Sequence, residues 1–447
     1  MIGREKVSPR PASIKFKLTV IYEECLTSLR FDNSRYGKIS EEYRGSFEWI
    51  WTHDQYKKWI EADASRLLYL QGKPGSGKST LTKYFTENLL KRGLNAKSAT
   101  VAKFFYSDRE GEIQRSHRNM LRSILYEILD QHEAFFYHCF QLEYRSQPAF
   151  NGRGGIGLVE WEYESLKRIF SSLLDYPRAE PLYLIIDAVD ESDDNDRREI
   201  LELLLRMCSG TNSCVVKAFV ASRPVAALER RISEFHSFIR LQDETKPDIS
   251  RLASSYLERM EFPDFLEKAR RYVVDNANGV FLWVRLVGEE LLAYDDLGYA
   301  EEDVFELLKS LPTELDDHYV RMLHKMMGNR EKDLRDGVKM FRFVFFACRS
   351  LTVCELLHAL GIPDTAEIEF LASDESFQKR IPLERRIPHC SGNFLEIKRH
   401  SGIRTFKSRP SLKLTNIQNT LWYKLCIKQF AIFSSAPMDM YPCPSLG

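Results

Sequence analysis

The feature that most constrains this chain is the run Gly72-Lys73-Pro74-Gly75-Ser76-Gly77-Lys78-Ser79-Thr80, set between the apolar segment LLYLQ and the helical pattern STLTKYFTENLLKR. It satisfies G-x-x-x-x-G-K-[ST], a loop whose backbone N–H groups wrap phosphate oxygens and whose following helix adds the positive end of its dipole. Strand, glycine turn and helix in that order require an open α/β sheet with the loop at the C-terminal edge of its strand. In that setting Lys78 is expected as an exposed ligand bridging the β- and γ-phosphates, and the Ser79 hydroxyl as a ligand of Mg²⁺. The competing reading is a glycine turn that holds nothing. The flanking strand and helix argue against it, because the phosphate-binding loop needs both.

A second metal ligand should end a buried strand beside the loop. Leu182-Tyr-Leu-Ile-Ile-Asp187 supplies one, and its continuous apolar run is what a strand covered on both faces needs. Asp187 is therefore the expected second Mg²⁺ ligand. Asp190 and Glu191, one turn on, are candidates to orient and deprotonate an attacking water, set against a solvated acidic loop, DESDDNDRRE. The strand SCVVKAFVASRP carries Arg223 to the same sheet edge, making it a candidate γ-phosphate sensor, with pairing to a surface carboxylate as the alternative.

Length and composition bound the rest. At 447 residues the chain exceeds one ordinary core, which implies more than one domain. Lys plus Arg equals Asp plus Glu at 64 each, so no global field draws it to nucleic acid or an anionic membrane. No apolar run approaches the roughly 20 residues of a spanning helix, and the basic N-terminus lacks a signal-peptide core, so a cytoplasmic location is expected. The nine cysteines show no C-x-x-C pair and no His/Cys cluster, which argues against a disulfide framework and a zinc site.

Along the chain, Phe47, Trp49, Ile50, Trp51, Tyr56, Trp59 and Ile60 crowd together ahead of the loop and read as core. Met120, Leu121, Ile124, Leu125, Ile128 and Leu129 mark one face of a helix over 115–129, and NGRGGIG marks an exposed loop. After about Ile239 the strands are expected to stop and helices to dominate. Thr352 and Glu355 stand in capping-box register before LTVCELLHAL's helix. The residues after Arg386 lack periodic apolar positions and are expected to bury little.

FEWIWTHDQYKKWIE, GKPGSGKST, LIIDAVDE, ASRP, NANGVFLWVRLV and SLPTELDDHYVRML together resemble the NACHT family of STAND signalling nucleotidases, as in fungal incompatibility, NOD-like and nephrocystin-type proteins. The resemblance runs from about Cys25 to Pro363. It implies a P-loop parallel sheet flanked by helices and followed by a helical, winged-helix-like region. It also implies that the Arg223 strand lies between the P-loop and Asp187 strands. Functionally it implies a nucleotide-gated switch that binds ATP or GTP with Mg²⁺ and self-associates or engages protein partners. The expected division is a helical lead-in over 1–44, the P-loop core over 45–240, a helical domain over 241–335, a winged-helix-like region over 336–390 and a basic tail over 391–447. The tail is expected to be disordered or the product of a truncated or misread gene. A non-hydrolysing binding module and a nucleic-acid machine remain the alternatives, the second opposed by the neutral charge balance.

Overall fold

The computed structural model describes residues 12–31, 34–92, 99–147, 159–209, 213–224, 237–260, 262–327, 330–347, 351–362, 375–391, 394–400 and 403–408. The expected NGRGGIG loop lies outside them. The chain divides into two compact units, 1–309 and 310–447.

The first unit is built on a five-stranded parallel sheet in the order β2-β3-β4-β1-β5. The strands are β1 (Arg66–Gln71), β2 (Thr100–Phe105), β3 (Leu182–Asp187), β4 (Val216–Ser222) and β5 (Ser237–Arg240). As expected, the strand leading to Arg223 separates the P-loop strand from the Asp187 strand. Gln71 stands opposite Ser222, and Ile186 opposite Val220, so the P-loop and the two candidate polar strand ends emerge at one edge. β5, which the sequence reading did not single out, pairs along Leu68–Gln71 and ends at Arg240, where the strands of this unit were expected to stop. Four residues with a single partner strand leave too short an apolar run to stand out.

Alternation along the strands feeds two cores. Leu67 and Tyr69 join Ala102, Phe104, Leu184, Ile186, Ala218 and Val220 under the helix His117–Gln131, whose expected apolar face is fully buried. The N-terminal helix Ala12–Leu29 seals the same layer with Tyr22, Cys25 and Leu29. Leu68 and Leu70 face the other way, toward Phe85 of the P-loop helix (Lys78–Arg92) and the aromatic cluster. Phe85 stacks on Phe219 at 4.5 Å and on Trp51 at 5.3 Å, so the cluster is core, as its composition suggested. Trp59 Nε1 donates to Ala218 O at 3.1 Å. Lys217, buried within β4, donates to Trp59 O at 2.7 Å and to Ala64 O at 3.0 Å, which closes the C-terminal end of the helix Asp54–Glu61. Burial lowers its ammonium pKa to about 8.

The second unit is described by itself. Its helix Val353–Gly361 starts in the predicted capping box, with Thr352 Oγ1 accepting from Glu355 N and Thr352 N donating to Glu355 Oε2. Arg386 pairs with Asp333 and Asp336 at 2.6 Å each, and Ile387, Cys390, Phe394 and Leu395 are buried. The expectation that residues after Arg386 bury little is therefore wrong: the segment packs through widely spaced side chains that no helical period reveals. It continues into an antiparallel hairpin, β6 (Leu395–His400) and β7 (Ile403–Ser408), which corrects the expectation that strands stop after about Ile239. Asp333, His389 and Cys390 gather within 4.8 Å, but the Arg386 guanidinium on Asp333 makes that cluster a poor cation site.

Candidate functional site

The loop takes its shape from its glycines. Gly72 N–H donates to Ser222 O at 3.1 Å as the last rung between β1 and β4. A Cβ on Gly72 would lie 2.6 Å from Ser76 Oγ and 2.8 Å from Lys78 Cγ, so the turn closes only without a side chain there. Gly75 and Gly77 have φ of 72° and 84°, the left-handed region that other residues enter at a cost of about 1–2 kcal/mol. Ser76 Oγ donates to Lys73 O at 2.7 Å, which ties the loop across itself, while Lys73 and Pro74 stay exposed at its tip. Ser79 and Thr80 follow, half-buried, in the first turn of the helix.

Lys78 departs from the exposed position expected of it. It is only 8% exposed, and its ammonium donates to Gly72 O at 2.7 Å and to Lys73 O at 3.0 Å. Burial lowers its pKa to about 8, against the opposing pull of Asp190 and Asp187. A cation held only by carbonyls, with carboxylates near but not touching, is ready to move onto an anion.

Asp187 is fully buried at the end of β3. Its Oδ1 accepts from Thr82 Oγ1 at 3.1 Å, whereas Oδ2 is buried with no hydrogen-bond partner. Burial raises its pKa to about 6, opposed by the Ser79 hydroxyl and by the charges of Arg35 and Lys78. An orphaned carboxylate oxygen beside the Ser79 hydroxyl is a donor set of hard oxygens, which fits Mg²⁺. Loop, lysine, serine and aspartate together fit a Mg²⁺–nucleotide.

The remaining candidates form one cluster. Ala188, at φ 54°, turns the chain so that Asp190 and Glu191 face the end of β4. Asp190 is buried, and its Oδ1 accepts from Arg223 N at 2.9 Å and from Ser222 Oγ at 3.3 Å. The Arg223 guanidinium approaches Asp190 Oδ2 at 3.3 Å and donates to Glu191 Oε1 at 3.2 Å. Glu191 Oε2 accepts from Asp108 N at 3.2 Å. Sensor candidate and base candidates thus neutralise one another, and Asp190 fixes the strand end that carries Arg223.

Several contacts at the loop were not legible. Leu282 N–H, in the first turn of the helix Phe281–Asp296, donates to Gly75 O at 3.1 Å. A Cβ on Gly77 would meet the rings of Phe281 and Phe47 at 3.3 Å each. Phe47 sits at φ 67°, and its N–H donates to Asp248 Oδ2 at 3.0 Å. The same oxygen accepts from Trp49 Nε1 at 3.2 Å, and Arg251 pairs with Asp248 while donating to Gly45 O at 2.6 Å. Asp248 therefore clasps the strap 45–49 over the P-loop. Phe47 was visible only as one member of an aromatic cluster, and Asp248 carries no motif.

Known proteins bear on this geometry. The profile of the family "Nephrocystin 3, N-terminal" matches residues 45–223, from the strap to the Arg223 strand end. The vegetative incompatibility protein HET-E-1 of Podospora anserina is 27% identical over 358 residues, which is 76% of this chain and 25% of that protein. The chain thus spans about a quarter of that relative's length. Among solved structures, the Aeropyrum pernix ORC1 protein in complex with DNA superposes with a TM-score of 0.36 at 12% identity, covering 91% of this chain and 98% of that one. The ADP form of the Aeropyrum pernix ORC2 protein gives 0.36 at 14%, covering 89% and 99%. Residues 45–223, which hold the P-loop, the Asp187 strand and the Arg223 strand end, thus match a nephrocystin-type N-terminal family, and the chain is similar to a fungal vegetative incompatibility protein over 76% of its length.

Proposed function

We propose that this chain is a nucleotide-binding switch that takes ATP or GTP with Mg²⁺, hydrolyses it slowly at most, and changes its association state with the phosphate bound. The observation that carries the reading is the convergence, at one edge of a parallel sheet, of the glycine cradle, the carbonyl-held Lys78 ammonium, and the Ser79–Asp187 pair with its orphaned oxygen. Gly72 through Gly77 offer inward N–H groups and Lys78 a movable charge. Ser79 and Asp187 would hold Mg²⁺, which would supply positive charge to neutralise the phosphates.

Arg223 is the element through which a third phosphate acts. Leaving Glu191 for a phosphate would exchange one charge-assisted contact for another, and Pro224 passes the change in strand position onward with little slack. Moving a two-state switch from mostly closed to mostly open takes roughly 5 kcal/mol of preference, within reach of a few such contacts. The pairing of Asp190 and Glu191 with Arg223 also favours the second reading, a nucleotide-binding interaction module without turnover. Protein partners and a cytoplasmic site of action go with either reading. Among the described residues no helix is long and apolar enough to cross a membrane.

Light scattering on protein loaded with diphosphate or with a non-hydrolysable triphosphate tests the switch. A larger mass with triphosphate, abolished by Arg223→Ala, is expected. Identical masses in both states would leave a nucleotide-binding protein and no switch, and a turnover assay on the same samples separates the two readings.

A further inference from the structure

The segment ahead of the aromatic strap plays no part in the phosphate chemistry above, yet the structure fastens it beside Asp187. The short helix Ser34–Gly37 lies at the C-terminal end of β2, where the Tyr36 ring meets Phe105 edge-on at 5.1 Å. Phe105 stands opposite Asp187 in the β2–β3 register. Tyr36 OH donates to Glu87 Oε1 at 3.0 Å, Lys83 Nζ donates to Ile39 O at 3.2 Å, and Lys38 pairs with Glu110 at 2.5 Å. The ammonium groups of Lys83 and Lys103 lie over the Tyr36 ring at 5.8 and 5.1 Å. Glu87 and Lys83 belong to the P-loop helix, so these ties span from that helix to β2 and hold the segment in one register.

Within this well-fastened segment, Arg35 is left over. Its Nε is buried and makes no hydrogen bond, and among the described residues no carboxylate lies within ion-pair distance of its guanidinium. Its charge is among those that oppose the burial-driven rise of the Asp187 pKa. A guanidinium is planar, permanently charged and suited to two-point contact with phosphate oxygens, and Arg35 is half-buried with its Nε unsatisfied. Arg223 must break ion pairs to reach a phosphate; among the described residues Arg35 has none to break.

We propose that Arg35 is a phosphate ligand, supplied in cis by the N-terminal segment, that contacts the terminal phosphate of a bound nucleoside triphosphate on the Asp187 side of the P-loop. The proposal rests on the nucleotide reading above, and its test keeps the two apart. Equilibrium titrations of the full chain with Mg²⁺-ADP, Mg²⁺-GDP and the non-hydrolysable ATP and GTP analogues are compared for wild type, Arg35→Ala, Arg35→Lys and Lys78→Ala. Arg35→Ala should weaken triphosphate binding by about tenfold or more, the loss of one charge-assisted contact, while diphosphate affinity changes by less than about threefold. Arg35→Lys should recover part of the loss. Thermal unfolding without nucleotide should be unchanged or slightly raised in Arg35→Ala, because the substitution removes a buried Nε that makes no hydrogen bond. Equal effects on diphosphate and triphosphate, or none on either, would overturn the role of Arg35 while leaving the P-loop intact if Lys78→Ala still loses both. Absence of binding by the wild type would instead remove the nucleotide reading itself.

Discussion

Replacing Asp248 by alanine should loosen the strap over the P-loop, and the structure allows the size of the effect to be worked out. The Asp248 side chain is 1% exposed and accepts from Phe47 N–H and Trp49 Nε1–H while pairing with Arg251. Hydrogen bonds to a charged group contribute about 1.5–3 kcal/mol each, and the Phe47 N–H left buried would cost about 1–3 kcal/mol. Against this stands the relief of a carboxylate whose pKa is raised by burial, so part of the gain is already offset in the native protein. A net loss of about 2–4 kcal/mol follows. At roughly 2–4 °C per kcal/mol for a unit of this size, Tm falls by about 5–15 °C. Phe47 then loses the bond that holds it at φ 67°, a conformation costing about 1–2 kcal/mol, and its ring withdraws from Gly77. Release of a fluorescent nucleotide, followed by stopped flow, should accelerate more in Asp248→Ala than in Asp248→Asn, which keeps one acceptor. A Tm within about 2 °C of wild type together with unchanged release would refute the clasp, since neither the Phe47 N–H nor Trp49 Nε1 could then have depended on Asp248.

Three further outcomes follow from the same site. Lys78→Ala should abolish triphosphate binding and leave the fold intact, because the ammonium contacts only two loop carbonyls; circular dichroism and titration check both halves. Burial raises the folded pKa of Asp187 from an ordinary 3.8 to about 6, so this residue lowers stability progressively as pH rises from 3.8 to 6, by a constant amount above 6, and not at all well below 3.8. Asp187→Asn should therefore raise stability by up to about 3 kcal/mol at pH 7.5 in EDTA, do nothing at pH 3.5, and lose the stabilisation that Mg²⁺-nucleotide confers, all readable by urea unfolding. Ending the chain at Arg386 removes the buried side chains of Ile387, Cys390, Phe394 and Leu395, which at roughly 1.5–3 kcal/mol for each large apolar group should lower the melting of the second unit by well over 5 °C. Unchanged melting would restore the reading of that segment as a solvated tail.

The sequence determined whatever is chemically contiguous. Strand, glycine turn and helix follow one another within residues 66–92, so backbone geometry and phosphate chemistry there are written in one stretch and survive without knowledge of the rest. The buried runs ending in Asp187 and Ser222 were legible for the same reason: a strand covered on both faces must be apolar throughout. Tertiary structure alone decided which distant side chains complete the site. Asp248 lies 201 residues from Phe47, and nothing in their spacing joins them. Leu282 reaches Gly75 through an ordinary backbone N–H, which every non-proline residue carries. The mutual neutralisation of Arg223, Asp190 and Glu191 depends on the left-handed turn at Ala188, where sequence suggests no such bend. Arg35 is one arginine in a weakly patterned segment, and only the anchoring of Tyr36 against Phe105 brings it beside Asp187. Local order follows from covalent neighbours and periodicity, whereas a polar contact across the fold depends on packing that no single segment encodes.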